Sequence, residues 1–217
     1  MKRRKLGILI SGRGSNMEAL LAAAANPAWP LEPVLVISNR PDAAGLDKAR
    51  AASVEAIAID HKTYGKEREA FERAMDAELT LAGVEVVALA GFMRVLTPWF
   101  VNAWEGRLIN IHPSLLPKYP GVDTHARALA AGDAVHGCSV HYVTAGVDEG
   151  PVIGQARIDI RPDDTPDTLA TRLLKAEHLL YPLCLAAAAT GAKGPPHEEV
   201  RKIDGERITL RWPSKSD

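Results

Sequence analysis

Hydrophobic and polar positions follow two periods along this chain. Short apolar runs that end in glycine or polar residues predict buried strands, and longer segments with apolar residues at helical spacing predict helices. The predicted strands of the first half cover residues 6–10, 33–38, 55–59 and 84–90, and the predicted helices cover 17–25, 42–52 and 66–81. Strands that alternate with helices in this way predict an α/β fold with a doubly wound, mostly parallel central sheet flanked by helices.

The second half continues this pattern and adds a small C-terminal hairpin. Strands are predicted over 106–112, 137–143 and 151–160, a short helix over 123–131, and a long helix from Pro166 to about Gly191. Thr165 and Pro166 form a strong helix start, because a hydroxyl caps the first turn and proline suits its first position. Residues 198–203 and 207–212 flank Asp204-Gly205, a typical hairpin turn. We expect a single domain over 1–217, with halves at about 1–104 and 105–191 and a tail from 192.

The composition is that of an ordinary globular chain. Of 217 residues, 47% are hydrophobic and 24% are charged, and the net charge of −1 provides no basic field for a polynucleotide. The two cysteines, Cys138 and Cys184, do not form a disulfide framework and fit a reducing cytoplasm. The apolar run behind the basic N-terminus is too short for a secretion signal, and no run is long enough to span a membrane. We therefore expect a cytoplasmic protein without nucleic-acid or membrane partners.

A glycine turn directly follows the first predicted strand. Residues 11–16 read SGRGSN and precede a predicted helix, so the turn ends at a helix N-terminus, where backbone N–H groups favour a phosphate. A dinucleotide fingerprint would need a third glycine where Met17 stands, and a Walker A loop would need Gly-Lys-Ser/Thr. Taken alone, the turn is a weak signal for an anion site.

Asn110 and His112 stand two residues apart on a predicted strand, so their side chains share one face. A carboxamide beside an imidazole can stabilise an oxyanion and carry a proton. The alternative interpretation is purely structural: the two residues form the polar end of a strand that precedes a rigid proline-rich loop. Ligands of doubly wound sheets bind beyond the carboxyl ends of the strands, and the glycine turn, residues 91–94 and this pair all fall at such ends.

Four motifs resemble the folate-dependent formyltransferases in order and spacing. They are GFMR at 91–94, NIHPSLLPKYPG at 110–121, HGCSVH at 136–141 and VDEGPV at 147–152, and the resemblance covers roughly residues 5–182. It implies direct transfer of a formyl group from N10 of 10-formyltetrahydrofolate to the glycinamide amine of 5′-phosphoribosylglycinamide, a step of de novo purine biosynthesis. Both ligands are small molecules, and members of the family need no metal.

The resemblance also implies which residues form the site. The catalytic residues are Asn110, His112 and Asp148; the ribonucleotide-binding residues are Gly14, Ser15, Asn16, Met17 and Glu177, with Met17 acting through its backbone; the folate-binding residues are Arg68, Met93, Arg94, Val95, Leu96 and Asn110. Asp148 is the acidic partner of His112 in this pattern. Because a carboxylate favours the imidazolium, we expect it to raise the pKa of His112.

Several interpretations stay open at this point. Arg68 and Lys175 are explained almost as well, or better, as solvated charges on helices, and His141 is either a neighbour of His112 or a satisfied half-buried histidine. The histidines and Asp148 lack the spacing of a zinc site, so metal catalysis is the weaker chemical alternative. Because the first strand starts at Leu6 and the tail after Gly191 is short, we expect neither the extra domain of methionyl-tRNA formyltransferase nor that of formyltetrahydrofolate deformylase. A silent binding module would not require Asn110, His112 and Asp148 together. We expect a monomer or a homodimer.

Overall fold

The computed structural model describes residues 2–214, which divide into two compact units. The first unit is residues 2–110 with Val143–Ala145, and the second is Ile111–Tyr142 with residues 146–214. The boundary runs through one strand, between Asn110 and Ile111.

The first unit alternates strands with helices. In chain order it contains β1 (Arg4–Ile10), α1 (Ser15–Ala24), β2 (Leu31–Ser38), α2 (Gly45–Ala51), β3 (Glu55–Ala58), a 3-10 helix (His61–Tyr64), α3 (Arg68–Leu81), β4 (Val86–Leu89), α4 (Pro98–Ala103) and the start of β5 (Leu108–His112). The strands lie in the order β3-β2-β1-β4-β5, and all neighbours are parallel. The order reverses between β1 and β4, which is the doubly wound arrangement that the hydrophobic pattern predicts.

Packing explains why β1 is central. Its last five residues, 6–10, are buried, and helix α3 packs Phe71, Met75 and Leu79 into the same unit's core. A side chain at Gly7 would put its Cβ 2.6 Å from Leu79 Cδ2, so glycine lets the helix approach the strand closely. Pro33 lies inside β2, beside the register shift at Leu6 and Gly7, where a missing N–H donor is tolerated.

The second unit is built from antiparallel strands and one long helix. It contains the end of β5, α5 (Thr124–Ala130), β6 (Val135–Tyr142), β7 (Val152–Asp159), α6 (Pro166–Thr190), β8 (Pro196–Ile203) and β9 (Glu206–Pro213). The strands lie in the order β6-β7-β9-β8. The C-terminal hairpin therefore continues this unit's sheet, because β9 pairs with β7.

Helix α6 has the ends that the sequence predicts. Thr165 and Thr168 form a reciprocal capping box at its start, and Gly191 ends it in the left-handed conformation at φ 66°. Arg172 of this helix forms an ion pair at 2.8 Å with the buried Glu206 of β9. The helix is thereby tied to the hairpin.

The predicted fold class is confirmed, and the main difference is a helix that the prediction lacks. Helix α4 is missing from the prediction, although Thr97-Pro98 gives the same start signal as Thr165-Pro166. Its six residues are too few to show a helical period. Over residues 2–214, no helix combines the length and the apolar character needed to cross a membrane.

Candidate active site

The glycine turn between β1 and α1 is closely packed. Gly14 has φ 73° and is the N-cap residue of α1. Because glycine has no side chain, no side-chain hydrogen bond caps this helix. A Cβ on Gly14 would lie 3.1 Å from the Cα of Gly45, the first residue of α2. The N–H of Gly45 donates to the carbonyl of Gly12 at 3.0 Å. Two close backbone approaches hold the turn, and the first amides of α1 keep the orientation that suits an anion.

A cavity of about 570 Å³ opens beside this turn within the first unit. It is lined by residues 11–16, Asn39, Arg40, His61, Ala90, Gly91, Met93 and Arg94. These residues follow β1, β2 and β4 or lie close to their carboxyl ends, where doubly wound sheets bind ligands. The structure thus brings the predicted Gly14, Ser15 and Asn16 to one cavity with Met93 and Arg94. Met17 is fully buried and does not line it.

Sequence reasoning missed Asn39, Arg40 and His61. The signal for the first two was available, since they directly follow β2 just as the glycine turn follows β1. His61 arrives through the 3-10 helix after β3, and its Nδ1 lies 2.8 Å from the carbonyl oxygen of Asn39.

A hydrogen-bonded chain links the glycine turn to the segment after β4. The N–H of Met93 donates to Ser11 Oγ at 2.8 Å, and the Ser11 hydroxyl donates to Asn39 Oδ1 at 2.6 Å. Ser11 and Asn39 are both buried. The position of Met93 is therefore set by residues that line the same cavity.

Residues 93–97 form a loop held by α3. Arg68 donates from Nη2 to the carbonyl of Val95 at 2.9 Å, and the buried Glu72 accepts the N–H of Thr97 at 2.9 Å and the Thr97 hydroxyl. Arg68 thus supports the backbone of this loop, an interpretation that the sequence did not suggest. The side chains of Met93 and Val95 are 81% and 57% exposed, so the loop offers an apolar surface on a fixed backbone. Leu96 packs against the core instead.

In the second unit, His112 and Asp148 form the pair that the motifs imply. His112 Nδ1 lies 3.3 Å from Asp148 Oδ2, and His112 Nε2 lies 2.9 Å from the carbonyl oxygen of Tyr119. Both ring nitrogens therefore face acceptors. Asn110 precedes His112 by two positions on β5, is partly buried, and pairs in register with Leu89 of β4.

The Asp148 carboxylate is held from three sides. It accepts the N–H of Gly121 at 2.9 Å and faces His141 Nε2 at 3.5 Å in addition to His112. Burial alone would raise the pKa of this carboxyl, but His141, Gly121 and His112 together hold it below its ordinary value. Asp148 is therefore ionised at neutral pH. His141, which the sequence left between two interpretations, is a buried partner of the acidic residue.

The pKa of His112 moves in the opposite direction to the expectation. Burial has the largest effect and lowers the pKa, while the Tyr119 carbonyl and the Asp148 charge raise it by less. The expected effect of Asp148 is present, but burial outweighs it, because the residue is only 5% exposed and its charged form loses hydration. The neutral ring is the main form at pH 7.

Residues 113–121 cover His112 and are held in place by hydrogen bonds with Ser139 and Gln155. Ser139 Oγ donates to the carbonyl of Ser114 at 2.7 Å and accepts the N–H of Leu116 at 3.0 Å. Gln155 Nε2 donates to the Leu116 carbonyl at 2.9 Å. These bonds explain how a segment without regular structure places the Tyr119 carbonyl next to the imidazole.

Two further histidines lie close to this segment. His125 Nδ1 and His136 Nε2 are 3.1 Å apart, and burial lowers the pKa of His136 to about 4, helped by the neighbouring His125. Burial lowers the pKa of His125 as well, and His112 in its charged form adds to this effect. Both rings are therefore neutral at pH 7.

The remaining candidates lie on or near α6. Glu177 is 8% exposed within the second unit, and burial with the charge of Glu177 raises the pKa of the fully buried Cys138 well above its ordinary value. Cys138 is therefore a small buried residue and not a thiolate nucleophile. Lys175 pairs with Asp204 at 3.0 Å.

Across the described part of the chain, no three His, Cys, Asp or Glu side chains gather in a way that would hold a metal ion.

A glycine turn at a helix N-terminus and a buried His–Asp pair suit an enzyme that binds an anion and moves a proton. Residues 4–185 match the formyl transferase family, and the chain belongs to that family. The resemblance seen in the motifs is thereby confirmed.

Within this family the chain is similar to phosphoribosylglycinamide formyltransferases. It is 43% identical to the Escherichia coli (strain K12) protein of that name over 201 residues, which cover 93% of this chain and 94% of that protein. The crystal structure of the Brucella melitensis phosphoribosylglycinamide formyltransferase has 48% identity and a TM-score of 0.83, and the match covers 88% of this chain and 98% of that one.

The chain also resembles part of longer proteins. It is 46% identical over 192 residues to the trifunctional purine biosynthetic protein adenosine-3 of Drosophila melanogaster, and the match covers 14% of that protein's length. This chain therefore corresponds to one segment of a longer protein that is named for purine biosynthesis.

Proposed function

We propose that the protein transfers the formyl group of 10-formyltetrahydrofolate to the amine of 5′-phosphoribosylglycinamide in de novo purine biosynthesis. The buried pair of His112 and Asp148 carries the proposal, because it supplies a proton carrier and a fixed anion that binding alone would not need. Relatives of 43% and 48% identity that are named phosphoribosylglycinamide formyltransferase support it.

The ribonucleotide's 5′-phosphate binds at the N-terminus of α1. The amides of Ser15, Asn16 and Met17 are the first of a ten-residue helix, and Gly14 has no side chain with which to cover them. Arg13 lines the same cavity and adds positive charge for a phosphate. Arg40 lines it as well, and its guanidinium is paired with Asp42 at 2.8 Å. Glu177 accepts hydrogen bonds from the ribonucleotide in the family pattern, and we propose the same role here.

The pterin of the folate binds to the loop of residues 93–97. The edge of a pterin carries hydrogen-bond donors and acceptors in alternation, and an extended backbone offers the same groups at regular spacing. The exposed side chains of Met93 and Val95 supply apolar contact, while Arg68 and Glu72 keep the backbone in place.

The substrate amine is itself the nucleophile, so no serine or cysteine is acylated. Its nitrogen attacks the formyl carbon, the C=O bond becomes a C–O⁻ single bond, and a tetrahedral intermediate forms. Asn110 donates a hydrogen bond to that oxygen, which is worth most in a site shielded from water. The bond from carbon to N10 then breaks. N10 gains one proton and the attacking nitrogen loses one, so the reaction balances without a further reactant.

His112 moves this proton. Because its pKa is lowered, the ring is neutral at rest, and Nε2 leaves the Tyr119 carbonyl to accept the proton that the attacking nitrogen releases, while Nδ1 keeps its contact with Asp148. The imidazolium so formed stays paired with the Asp148 carboxylate and stabilises the nearby oxyanion. Return of the proton to N10 completes the transfer, and we propose that it passes through an intervening water.

The acceptor of the formyl group tests this proposal. The purified chain is incubated with 10-formyltetrahydrofolate in the presence and absence of 5′-phosphoribosylglycinamide, and tetrahydrofolate and free formate are measured. We expect tetrahydrofolate only when the amine is present, without free formate. Formate release at the same rate without the amine would assign the chain to hydrolysis of the folate, and no release in either mixture would leave only binding.

A further inference from the structure

The cavity of the first unit is larger than one phosphate needs. Its volume of about 570 Å³ falls within the range of about 300–1,000 Å³ that holds a whole small ligand. The N-terminus of α1 supplies only part of its lining. Another part is a wall cluster of four residues that follow β2, β3 and β4, namely Asn39, Arg40, His61 and Arg94. The side chains of this wall cluster have no ligand in the proposed function.

The lining of this cavity is cationic. Arg13, Arg40 and Arg94 all line it, and within residues 2–214 none of the lining residues is an aspartate or a glutamate. Arg40 is paired with Asp42 through Nε and Nη2, which leaves Nη1 available as a donor. Across the same described range, the guanidinium groups of Arg13 and Arg94 form no hydrogen bond and no ion pair. Such a lining favours a ligand with more than one negative charge.

Hydrogen bonds orient His61 within the wall cluster. The N–H of Met93 occupies an acceptor position of Ser11 Oγ, so the Ser11 hydroxyl donates to Asn39 Oδ1. The amide nitrogen of Asn39 therefore faces His61 and lies 3.2 Å from Nδ1, while the Asn39 carbonyl oxygen lies 2.8 Å from the same Nδ1. Both contacts use one ring nitrogen, and no residue of the described range hydrogen-bonds Nε2.

The charged form of His61 suits an anion. Its Nδ1–H donates to the Asn39 carbonyl, and its Nε2–H is left to donate to a ligand. A bound anion favours this charged form, because opposite charges attract.

One buried ring holds two members of the wall cluster. The Phe71 ring lies 5.3 Å from the Arg94 guanidinium carbon, and it makes an edge contact with the His61 ring at 6.5 Å between centroids. Phe71 is only 1% exposed and belongs to the core. The two cationic donors are thus supported by the same fixed side chain, which reduces the cost of ordering them around a ligand.

We infer that the cavity takes a ligand with two linked phosphoryl groups, one on the first amides of α1 and the other on Arg94, Arg40 and His61. The inference rests on the proposed function for the position of the first phosphate. Inorganic pyrophosphate and nucleoside diphosphates share the required chemistry, and either competes with the ribonucleotide for α1. Arg94 serves the two ligands through different groups, because its backbone belongs to the loop proposed for the pterin and its side chain lines this cavity.

Isothermal titration calorimetry of the full chain, in buffer without divalent cations, compares orthophosphate, pyrophosphate and succinate. We expect pyrophosphate to bind about tenfold to hundredfold more tightly than orthophosphate, because its second phosphoryl group adds charge-assisted hydrogen bonds. Succinate carries two carboxylates and should bind no better than orthophosphate. Titration with ADP and AMP separates the two sources of the ligand. A preference for ADP that matches that of pyrophosphate identifies nucleoside diphosphates, and equal binding of ADP and AMP restricts the site to free pyrophosphate.

Two variants test the wall cluster. We expect His61→Leu and Arg94→Gln each to reduce the preference for pyrophosphate over orthophosphate by about tenfold, because each removes a donor to the second phosphoryl group. Arg107→Gln is the matched control, since Arg107 also lies over an aromatic ring, 4.5 Å from that of Trp104, but does not line the cavity. It should keep the full preference. Thermal unfolding shows that each variant is folded.

Equal affinities for pyrophosphate and orthophosphate would overturn the inference. So would succinate that binds as tightly as pyrophosphate, or folded His61→Leu and Arg94→Gln variants that keep the full preference. The proposed function fails separately. A chain that prefers pyrophosphate but does not formylate the ribonucleotide contradicts only the formyl transfer, and a chain that formylates it without preferring pyrophosphate contradicts only the second phosphoryl position.

Discussion

Replacing Asp148 by alanine tests the His–Asp pair directly. The change removes a carboxylate oxygen that lies 3.3 Å from His112 Nδ1. Two unit charges at this distance attract by about 5 kcal/mol at an effective dielectric constant of about 20, which is an upper limit for what the imidazolium loses. Water that enters the vacated volume recovers part of this. We therefore expect kcat to fall by about 10²–10³, which corresponds to about 3–4 kcal/mol of transition-state stabilisation.

The assay separates catalysis from binding and from folding. Steady-state kinetics give kcat and KM for both substrates, and thermal unfolding gives Tm. Neither substrate is proposed to touch Asp148, so both KM values are expected to stay within about threefold of wild type. Asp163→Ala, at an exposed aspartate of the same unit, is the control and keeps normal kcat. Normal turnover in Asp148→Ala, or a loss confined to KM, would refute the role given to this carboxylate.

Three further changes test other parts of the account. Asn110→Ala removes the proposed donor to the oxyanion, and kcat should fall by about 10²–10³ with both KM values kept in the same assay. Glu72→Gln leaves Thr97 with one acceptor in place of two, so KM for 10-formyltetrahydrofolate should rise about tenfold while KM for the ribonucleotide stays constant. The pKa of His136 is about 4 in the folded chain and about 6.5 in the unfolded chain, so the unfolded chain binds the proton first as the pH falls. The folded chain therefore loses stability between about pH 6.5 and pH 4. His136→Gln should reduce this loss by about 2 kcal/mol in urea unfolding across that range, and an unchanged pH dependence would contradict the assignment.

Local patterns made much of the fold predictable. The first strand, its glycine turn and the following helix were recognisable because an apolar run, a glycine and a helix start stand side by side in the sequence. The start and end of α6 were equally clear, because Thr165, Pro166 and Gly191 are strong local signals. Such features depend on neighbouring residues, which a sequence displays directly. Whether the two units act as a single domain stays a prediction.

The site was predictable where a motif marked it and not where distant segments meet. Asp148 was assigned to His112 from the family pattern, and the distance of 3.3 Å agrees with that pairing. The pKa of His112 was not predictable, because it depends on how far residues 113–121 bury the ring. His61 joins the cavity only through the packing of the segment after β3, and no spacing in the sequence marks it.

A crystal structure with 5′-phosphoribosylglycinamide and an unreactive folate analogue bound tests the central claim most directly. We predict that the oxygen equivalent to the formyl oxygen lies about 2.7–3.1 Å from Asn110 Nδ2 on the side of His112, with the phosphate on the amides of residues 15–17. An oxygen turned away from both side chains, or a phosphate bound elsewhere, would contradict formyl transfer by these residues.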